Sequence, residues 1–340
     1  MSLLWRNPTN HTIGIDISDH IIRAVLIRHS KHKHVLKKFD EVELEEGWIQ
    51  NGVIQDAVSV QEVLKGSLLK TISPGYGAAV VGLPEAHGFI KTVTAVDGGL
   101  EAEVARHLPF PYEEVVEDSI NYGPTADQQR MVYGFAAIKK EVSESYWEVL
   151  SALGLHIRAL EIESQAIARA YAQVLTSVQQ ISILVDIGRN HTTFLVVQND
   201  HIDFTHTSQM ISGKLLTAAI QKQAGWSLDQ AEQQKIIAPE DPTVKAITTR
   251  FGVVLANELQ RVVDFHTEHQ ATRSGNNYVI YLTGGGSQIP NLRLYLEDII
   301  KYPIQPATLP KNVSLPKKMV PERFSYGTAI GLGIRQYLPL

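Results

Sequence analysis

Two aspartates of this 340-residue chain each stand near the end of an apolar run, just before a polar turn. Asp16 lies in IDISDHIIRAVLI (residues 15–27) and Asp186 in VDIGRNHTTFLVV (residues 185–197). A carboxylate at the exit of a buried strand costs several kcal/mol, on the order of the penalty for an unpaired buried charge, unless something pairs with it. Carboxylates hold Mg²⁺ largely through its water molecules, so the two positions predict a magnesium site.

The two segments align as an internal repeat of strand, aspartate, tight turn and strand, and one copy opens each half of the chain. Repetition at half-length predicts two similar lobes related by a pseudo-twofold axis, with the acidic turns facing each other across a cleft. Backbone N–H groups in such turns can cradle phosphate oxygens, and Gly188 lets the backbone approach closely. Thr192 and Thr193 add hydroxyl donors. A single Asp-x-Gly is more often only a stabilised turn, but two copies in register favour a metal–phosphate site.

Three glycines, Gly284, Gly285 and Gly286, follow a buried strand in LTGGGSQIPNL (residues 282–292) and precede a predicted helix. Glycines at such a junction make room for a flat or charged ligand at the helix N-terminus. A glycine-rich turn between a strand and a helix can equally serve packing alone, so the segment by itself leaves both interpretations open.

The composition narrows the class of protein. A net charge of −5 argues against nucleic acid as the main partner, and the absence of cysteine excludes disulfides and fits a reducing compartment. No apolar run reaches the ~18–20 residues that span a bilayer, and MSLLWRNPTN lacks the pattern of a signal peptide. We therefore expect a cytoplasmic protein. The histidine run RHSKHKH (residues 28–34) predicts the solvated face of a strand rather than a metal site.

Hydrophobic periodicity predicts the elements that must position these residues. Strands are predicted at residues 13–17, 22–28, 34–45, 77–83, 89–96, 115–122, 130–138, 155–162, 181–187, 192–197 and 277–283. Helices are predicted at residues 60–72, 99–107, 142–153, 164–175, 211–224, 228–237, 243–269 and 326–338. Residues 88–160 therefore form a predicted α+β unit, residues 303–321 a Pro/Lys-rich connection, and the small residues of the last helix predict tight packing.

Four motifs, taken together, resemble those of actin-like ATPases. GIDIS is similar to their phosphate-1 motif, VDIGRNHTT to phosphate-2, TGGGSQIPNL to the adenosine motif and YGTAIGLGIR to the second connecting motif. Within that superfamily the chain resembles the PilM family of type IV pilus assembly proteins, relatives of the cell-division protein FtsA. The segments that carry this closer resemblance are HLPFPYEEVVEDSINYG, EVSESYWEVLSALGLHIRALEIESQAIARA and AEQQKI, and the whole resemblance covers about residues 12–338.

The resemblance implies an α/β, actin-like (ASKHA) bilobed fold of two ribonuclease-H-like lobes with a small α+β insert of the 1C type. The implied segments are a lobe 1 core with the first phosphate hairpin (1–87), the 1C-like insert (88–160), the first connecting helix of lobe 1 (161–180), a lobe 2 core with the second phosphate hairpin (181–210), a helical 2B-like subdomain (211–275), the lobe 2 core with the adenosine motif (276–322) and the second connecting helix returning to lobe 1 (323–340).

The resemblance also implies ATP or ADP with Mg²⁺ as the ligand. Asp16 and Asp186 would lie near Mg²⁺ through water, and Glu163 would be the candidate water-orienting base. The other residues implied to line the nucleotide site are Ser18 and Arg23 at the first turn, Gly188, Thr192 and Thr193 at the second, Gly213 and Lys214 before the 2B helix, Glu232 and Lys235 at the ribose and adenine, and Gly284, Gly285, Gly286 and Ser287 at the adenosine.

The first turn departs from the family pattern D-I-G-S-S-S-x-K. This chain has Ser18 in place of the glycine and Asp19 beside it, while Arg23 keeps the positive charge of the lysine. An unneutralised carboxylate ~4 Å from a phosphate costs roughly 1–4 kcal/mol. We therefore expect Asp19 to weaken triphosphate binding, and we expect nucleotide binding with at most weak ATPase activity.

The implied function is that of a cytoplasmic ATP-binding scaffold at the inner face of the cytoplasmic membrane, in the type IV pilus machine or a related type II secretion system. Its implied partner is the cytoplasmic N-terminal segment of PilN, docked in an apolar groove between subdomains 1A and 1C near residues 85–125. Pilus motor ATPases and the platform protein are further candidate partners, and the membrane is reached only through the partner. Three alternatives stay open: an FtsA-like ATPase that polymerises, a small-molecule kinase of the same superfamily, and a degenerate homologue that no longer binds nucleotide.

Overall fold

The fold consists of two compact units, each with its own sheet and core. The structure is a computed structural model, and it describes residues 10–72, 77–125, 127–175, 180–269 and 277–335. Unit 1 extends to Gln173 and resumes at Leu309, and unit 2 runs from Val174 to Thr308.

Unit 1 is a mixed α/β unit. Its strands are β1 (His11–Ile17), β2 (Ile21–Ser30), β3 (Lys33–Glu43), β4 (Ile49–Gln50), β5 (Val53–Ile54), β6 (Ala78–Leu83), β7 (Gly88–Ala95), β8 (Val115–Pro124), β9 (Met131–Lys139), β10 (Ile157–Ile162) and β16 (Val313–Ser314). Its helices are α1 (Ala57–Val63), which continues through a π-helical turn (Leu64–Leu68) into α2 (Leu69–Thr71), then α3 (Leu100–His107), α4 (Lys140–Ser151), α5 (Glu163–Ala170) and α11 (Gly327–Gly333). Short 3₁₀ turns lie at Glu85–His87, Tyr112–Glu114 and Lys317–Glu322.

Unit 2 is also α/β, and the short helix α6 (Ala172–Leu175) spans the junction between the two units along the chain. The strands of unit 2 are β11 (Ile181–Ile187), β12 (Thr192–Gln198), β13 (His201–Ser208), β14 (Tyr278–Thr283) and β15 (Ile304–Pro306). Its helices are α7 (Gly213–Ala224), α8 (Leu228–Ile237), α9 (Pro242–His269) and α10 (Leu292–Glu297), with a 3₁₀ turn at Gly285–Gln288.

The two units share one strand order. Unit 1 has the order β10-β6-β1-β2-β3, followed by β16, and unit 2 has the order β15-β14-β11-β12-β13. In each, the hairpin and the strand after it are antiparallel, and the remaining two strands run parallel to the first strand of the hairpin. The register places Asp16 opposite Arg23 and Asp186 opposite Thr193. The predicted internal repeat is therefore confirmed as a shared topology.

The first strand of unit 1 is apolar on both faces because helices cover both sides of its sheet. Ile13 and Ile15 pack in one buried cluster with Val60 of α1. On the other face Gly14 lies so close to the backbone of α11 that no side chain fits between them. The tight packing predicted from the small residues of the last helix is thus confirmed for the part of that helix that is described.

The segment between β6 and β10 forms a small antiparallel sheet with two helices. Its strand order is β7-β9-β8, and α3 covers one face through Val104, which packs with Phe135. Helix α4 follows β9, and its Tyr146 packs with Ile138 in the main cluster of unit 1. The insert is therefore attached to the rest of unit 1 through α4.

The Pro/Lys-rich connection predicted at residues 303–321 contains two short strands. β15 extends the sheet of unit 2, whereas β16 pairs in parallel with β3 of unit 1. Leu309 and Val313 pack with Met319 in a cluster of unit 1. We assigned residues 276–322 to the second lobe, but the chain re-enters unit 1 at Leu309.

Other differences from the predicted elements have local causes. The helix predicted at residues 60–72 begins at Ala57, because the Asp56 carboxylate accepts the Ser59 N–H at 3.0 Å and caps it. Strand β13 was not predicted, because polar residues stand along both of its half-buried faces. The end of the last predicted helix, from residue 336, lies outside the described residues.

None of the helices within the described ranges is long and apolar enough to cross a membrane. Even α9, which has 28 residues, carries charged side chains along its length.

Candidate functional site

The second acidic hairpin, in unit 2, is a tight turn that is fastened to the start of α7. The Gly188 N–H donates to the His191 carbonyl at 2.9 Å and closes the turn. The carbonyls of Gly188 and Arg189 accept from the N–H groups of Gly213 and Lys214, at 2.9 and 2.8 Å. Three predicted site residues, Gly188, Gly213 and Lys214, are therefore brought together.

Thr192 and Thr193, predicted as hydroxyl donors to the ligand, are both buried and hydrogen-bonded within the protein. The Thr192 hydroxyl donates to the Ile211 carbonyl at 2.8 Å, and the Thr193 and Thr207 hydroxyl oxygens are 3.1 Å apart. In this structure the two side chains hold the hairpin to its neighbours, so their donation to a ligand stays a prediction.

The glycine turn lies directly against the strand end that carries Asp186. Gly284 has a φ of +78°, and a Cβ atom at this position would come within 2.6 Å of the Asp186 Oδ1 atom and of the Ile187 carbonyl oxygen. The positive φ and the close approach both require glycine. The Ser287 hydroxyl donates to the Gly284 carbonyl at 2.7 Å and closes the turn. Residues 284–287 and Asp186 therefore form one cradle.

The glycine turn does not open directly onto a helix, and in this respect the prediction is wrong. Gly285–Gln288 form a 3₁₀ turn, and α10 begins only at Leu292. The chain is redirected between them because Asn291 adopts the left-handed conformation, with a φ of +62°. What the turn offers to a ligand is its backbone rather than a helix end.

Glu232 and Lys235, predicted at the ribose and adenine, form an ion pair within α8, and both bond Thr217 of α7. The Lys235 Nζ atom lies 2.7 Å from both Glu232 carboxylate oxygens and 2.9 Å from the Thr217 hydroxyl, which also bonds Glu232. Burial lowers the pKa of Lys235, with Glu232 acting in the opposite direction and the Arg189 charge adding to the lowering. Burial raises the pKa of Glu232, but its bonds to Lys235 and Thr217 outweigh burial and leave it lowered. Glu232 stays 49% exposed, so one side of its carboxylate is open to a ligand.

The first acidic hairpin, in unit 1, has a turn of the same length. The N–H and the hydroxyl of Ser18 both donate to the Ile21 carbonyl, at 3.0 and 2.8 Å. Arg23, predicted to supply the charge of the family's lysine, donates from Nε to the Glu41 carboxylate at 3.0 Å. Both predicted residues therefore have partners inside unit 1, and their contacts with a ligand stay predictions.

Two carboxylates lie at one edge of the sheet of unit 1. Burial raises the pKa of Asp16 to about 6, while the Arg23 charge acts in the opposite direction. Glu163 is the first residue of α5, and its Cγ atom is 3.6 Å from the point where a Cβ of Gly82 would lie. Because β1, β6 and β10 are parallel, Asp16 and Glu163 stand at the edge formed by their carboxyl ends, where ligands bind in many α/β sheets.

Asp19 does not present a free carboxylate to the first turn. Its two oxygens accept the backbone N–H groups of Asn51 and Gly52, at 3.0 and 2.8 Å. These two neutral donors fix the position of the carboxylate but leave its negative charge in place, so the expected weakening of triphosphate binding stays a prediction. The sequence hides the interaction because the partners follow 32 and 33 residues later.

No group of three or more metal-ligating side chains occurs in the part of the chain that the structure describes. Asp16 belongs to unit 1 and Asp186 to unit 2, so the pairing of the two aspartates around one ion stays a prediction. Within the histidine run, His29 and His34 are partly buried and contact each other, with their Nδ1 atoms 2.9 Å apart.

Unit 1 also contains a groove with a volume of about 590 Å³ between the insert and the main sheet. Its lining comes from β8 (Val116–Asp118), β9 (Ala136–Ile138), α4 (Ser143, Glu144, Trp147, Glu148) and β10 (Arg158–Ile162), with Leu83, Gln165 and Arg335. Of the range implied for this groove, residues 85–125, only β8 contributes lining residues. The other lining residues come mainly from β9, α4 and β10, which lie later in the chain.

The groove combines an apolar floor with an excess of negative charge. Trp147 and Val116 are 50% and 48% exposed. The lining contains five carboxylates and two guanidinium groups. Glu161 is compensated within unit 1 by Arg169 and Arg335, each at 2.5 Å. An occupant with apolar side chains and a positive charge therefore suits this surface best.

A family model described as type IV pilus assembly protein PilM matches residues 14–337. The chain belongs to the PilM family. Several solved structures share the architecture described above. The first is a PilM–PilN type IV pilus biogenesis complex, with a TM-score of 0.81, 21% identity, and coverage of 96% of this chain and 98% of that chain.

Two more distant structures place this PilM family member within the actin-like fold. The ethanolamine utilization protein EutJ from Carboxydothermus hydrogenoformans has a TM-score of 0.58 and 13% identity, over 96% of this chain and 89% of that chain. MreB5 of Spiroplasma citri bound to AMPPNP has a TM-score of 0.56 and 13% identity, over 95% of both chains. The predicted actin-like fold is confirmed, and so is the predicted family.

The short hairpin of β4 and β5 in this PilM family member was not predicted from the sequence. The dipeptide Asn51-Gly52 connects β4 and β5, and both residues have positive φ, of +51° and +79°. An Asn-Gly pair between apolar residues is a strong signal for a two-residue hairpin. The signal was present in WIQNGVIQ (residues 48–55) and could have identified this turn.

Proposed function

We propose that this member of the PilM family is a nucleotide-binding scaffold on the cytoplasmic side of the inner membrane, and that it binds the N-terminal segment of a PilN-type protein in the groove of unit 1. The observation that carries the proposal is the groove itself, an apolar and acidic surface between the insert and the main sheet. The PilM–PilN complex, similar over 96% of this chain, supports the choice of partner.

The groove suits an extended segment rather than a helix. β8 and β10 both line it, and each is the outermost strand in the order of its neighbours. Outer strands present backbone N–H and C=O groups that a peptide in extended conformation can pair with. Trp147 and Val116 then receive apolar side chains of the segment, while Asp118 and Glu144 receive a basic one.

We propose ATP or ADP with Mg²⁺ as the nucleotide ligand, bound by the acidic hairpins, the glycine turn and the Glu232–Lys235 pair. Two features of unit 2 support this ligand: the backbone cradle at Gly284 and the half-exposed Glu232 carboxylate. In unit 1, Asp16 supports it because a bound cation would offset the burial that raises the pKa of this carboxyl. MreB5 of the same fold was solved with AMPPNP. Mg²⁺ would neutralise the phosphates, and Glu163 would orient water for a slow hydrolysis.

The partner claim is tested by fluorescence anisotropy with a labelled synthetic peptide of the first ~20 residues of the PilN-type protein from the same organism. Trp147→Ala removes the largest apolar contact, and we expect at least a tenfold weaker affinity, about 1.4 kcal/mol. Val58→Ala is the control, because Val58 is 67% exposed on α1 and does not line the groove. Equal affinity of the wild-type protein and Trp147→Ala would refute the docking site.

The nucleotide claim is tested separately by calorimetry with Mg-ATP. We expect Asp186→Ala to abolish binding, because its carboxylate lies in the cradle with Gly284. The control is Asp229→Ala, an exposed aspartate on α8. If the wild-type protein binds no nucleotide, the chain is the degenerate homologue, and the partner claim is unaffected.

A further inference from the structure

The turn Asn51–Gly52 connects the first acidic hairpin with the helix that lines the groove. On one side its two N–H groups are bound by the Asp19 carboxylate, at 3.0 and 2.8 Å. On the other side the Tyr146 hydroxyl donates to the Gly52 carbonyl at 2.9 Å. His87, next to the start of the insert, contacts the Asn51 carbonyl through Nε2 at 2.9 Å. All these residues belong to unit 1.

The turn is constrained in shape, so it can transmit a displacement. Both of its residues have positive φ, and their two successive N–H groups donate to the same carboxylate. A Cβ atom on Gly52 would overlap the Pro84 ring. Bonds from backbone N–H groups to a carboxylate are charge-assisted and stronger than neutral ones. If Asp19 moves, its two hydrogen bonds therefore carry the turn with it.

Tyr146 connects the turn to the groove. It is fully buried in the main cluster of unit 1, next to Val142 and Val149. Its neighbours on α4, Ser143 and Trp147, line the groove. The hydroxyl of Tyr146 bonds this helix to the turn, so the Gly52 carbonyl contributes to the position of α4, together with the apolar packing of the helix.

The electrostatic surroundings agree with the hydrogen bonds. The pKa of Tyr146 is raised well above its ordinary value, by burial first and then by the charges of Glu163, Asp19 and Asp16. The charges of these three carboxylates therefore act on the hydroxyl that bonds the Gly52 carbonyl. A ligand that binds at these carboxylates changes the field at this hydroxyl.

We propose that Asp19 and Tyr146 are positioning residues for the groove, and that through the Asn51–Gly52 turn they couple the first acidic hairpin to partner binding. This inference rests on the proposed function, because it assumes that the groove binds the PilN-type segment. It also gives a reason for Asp19, which stands where the family pattern has serine: the carboxylate holds the Asn51–Gly52 turn.

The coupling is tested with a double-mutant cycle on the same labelled peptide. Asp19→Asn keeps the side-chain size and removes the charge, and Tyr146→Phe removes only the hydroxyl. Neither residue lines the groove, yet we expect each variant to bind the peptide about five- to tenfold more weakly. Because both residues act through one turn, the double variant should lose no more affinity for the peptide than the single variant with the larger loss. Asp97→Asn and Tyr295→Phe, at other positions, are the controls and should bind like the wild-type protein.

Hydrogen exchange of residues 140–151, measured without peptide or nucleotide, gives a second readout. Asp19→Asn should increase exchange along α4, whereas Asp97→Asn should not. If the wild-type protein binds the peptide and both single variants bind equally well, the coupling is refuted while the proposed function stands. Losses that multiply in the double variant refute it too, because they indicate independent effects. If the wild-type protein does not bind the peptide at all, the proposed function fails. In that case, exchange in α4 that Asp19→Asn leaves unchanged refutes the coupling.

Discussion

Arg169 holds the buried carboxylate of Glu161 with two hydrogen bonds, of 2.5 and 2.9 Å. Arg335 binds the same carboxylate at 2.5 Å, and Arg169 also donates to the Gly331 carbonyl at 3.0 Å. This cluster joins β10, α5 and the end of α11 beside the groove. Removal of one member leaves a buried charge that is only partly compensated.

We therefore expect Arg169→Ala to lower the free energy of unfolding by about 3 kcal/mol, the lower part of the range for a broken buried pair, since Arg335 remains. Urea unfolding followed by circular dichroism measures this. Arg293→Ala is the matched control, because it breaks the exposed pair with Glu297 and should cost at most about 1 kcal/mol. Equal losses in the two variants would show that the cluster contributes no more than a surface pair.

Asp16→Asn should stabilise the protein at neutral pH. The pKa of Asp16 is raised by burial from 3.8 to about 6, so the folded state retains its proton after the unfolded state has lost it. The stability contributed by the protonated carboxyl is complete below about pH 4 and is lost as the pH rises through about 6. Asparagine cannot ionise and avoids this loss.

Urea unfolding at pH 4 and pH 7.5 checks this expectation. The advantage of Asp16→Asn over the wild-type protein should be small at pH 4 and larger at pH 7.5, while Asp97→Asn shows no such change. The same variant should lose affinity for Mg-ATP, since the carboxylate is gone. An advantage that shrinks with rising pH would mean that the folded state lowers, rather than raises, the pKa of Asp16.

Glu232→Ala should destabilise unit 2 more than Lys235→Met. Lys235 is only 5% exposed, and without Glu232 its ammonium group keeps the neutral Thr217 hydroxyl as its remaining described partner. Loss of the charged partner should cost about 1–3 kcal/mol. Methionine has a similar volume and no charge, so it leaves Glu232 facing solvent at a smaller cost. Thermal unfolding compares the two variants, and the reverse order would contradict the assignment of Lys235 as the buried member.

Gly284→Ala should be more damaging than Gly225→Ala, although both glycines have positive φ, of +78° and +70°. Gly225 has the left-handed conformation, with a ψ of 21°, where a side chain costs about 1 kcal/mol. Gly284 has a ψ of 169°, in a region that essentially only glycine adopts, so its backbone cost is larger. At Gly225 the new methyl group meets nothing within 4 Å, whereas at Gly284 it meets Asp186 and Ile187. Chemical denaturation of both variants measures the combined extra cost of the backbone conformation and the contact at Gly284. Equal costs would mean that the cradle yields without strain.

Much of this architecture follows from local patterns in the sequence. The two hairpins, the position of an aspartate two residues before each turn, and the strands of the insert are predicted because apolar periodicity and turn residues act over a few positions. The glycine turn beside Asp186 was recognised for the same reason. The gap between this turn and α10 was not predicted, because it comes from the left-handed conformation of the single residue Asn291, which leaves no periodic pattern in the sequence.

The interactions that fix the sites are not local, and sequence reasoning could not supply them. The bonds of Asp19 to the Asn51–Gly52 turn were not predicted, because these partners lie more than 30 residues away in the chain. Glu161 and Arg335 are separated by 174 residues. Side-chain pairing over such distances depends on how the sheet orders its strands. β13 shows that a strand can also be missed when polar residues stand along both of its half-buried faces.

The common strand order of the two units has one more consequence. Both acidic hairpins have the same arrangement of strand, aspartate, turn and strand, but one is anchored by Gly188 and α7, and the other by Asp19 and the Asn51–Gly52 turn. Duplicated parts that have acquired different anchors are no longer interchangeable. Replacement of ISDHI (residues 17–21) by IGRNH (residues 187–191) would place a glycine in the first turn. It would also remove the Asp19 carboxylate, and with it the bonds that connect this hairpin through the Asn51–Gly52 turn to α4.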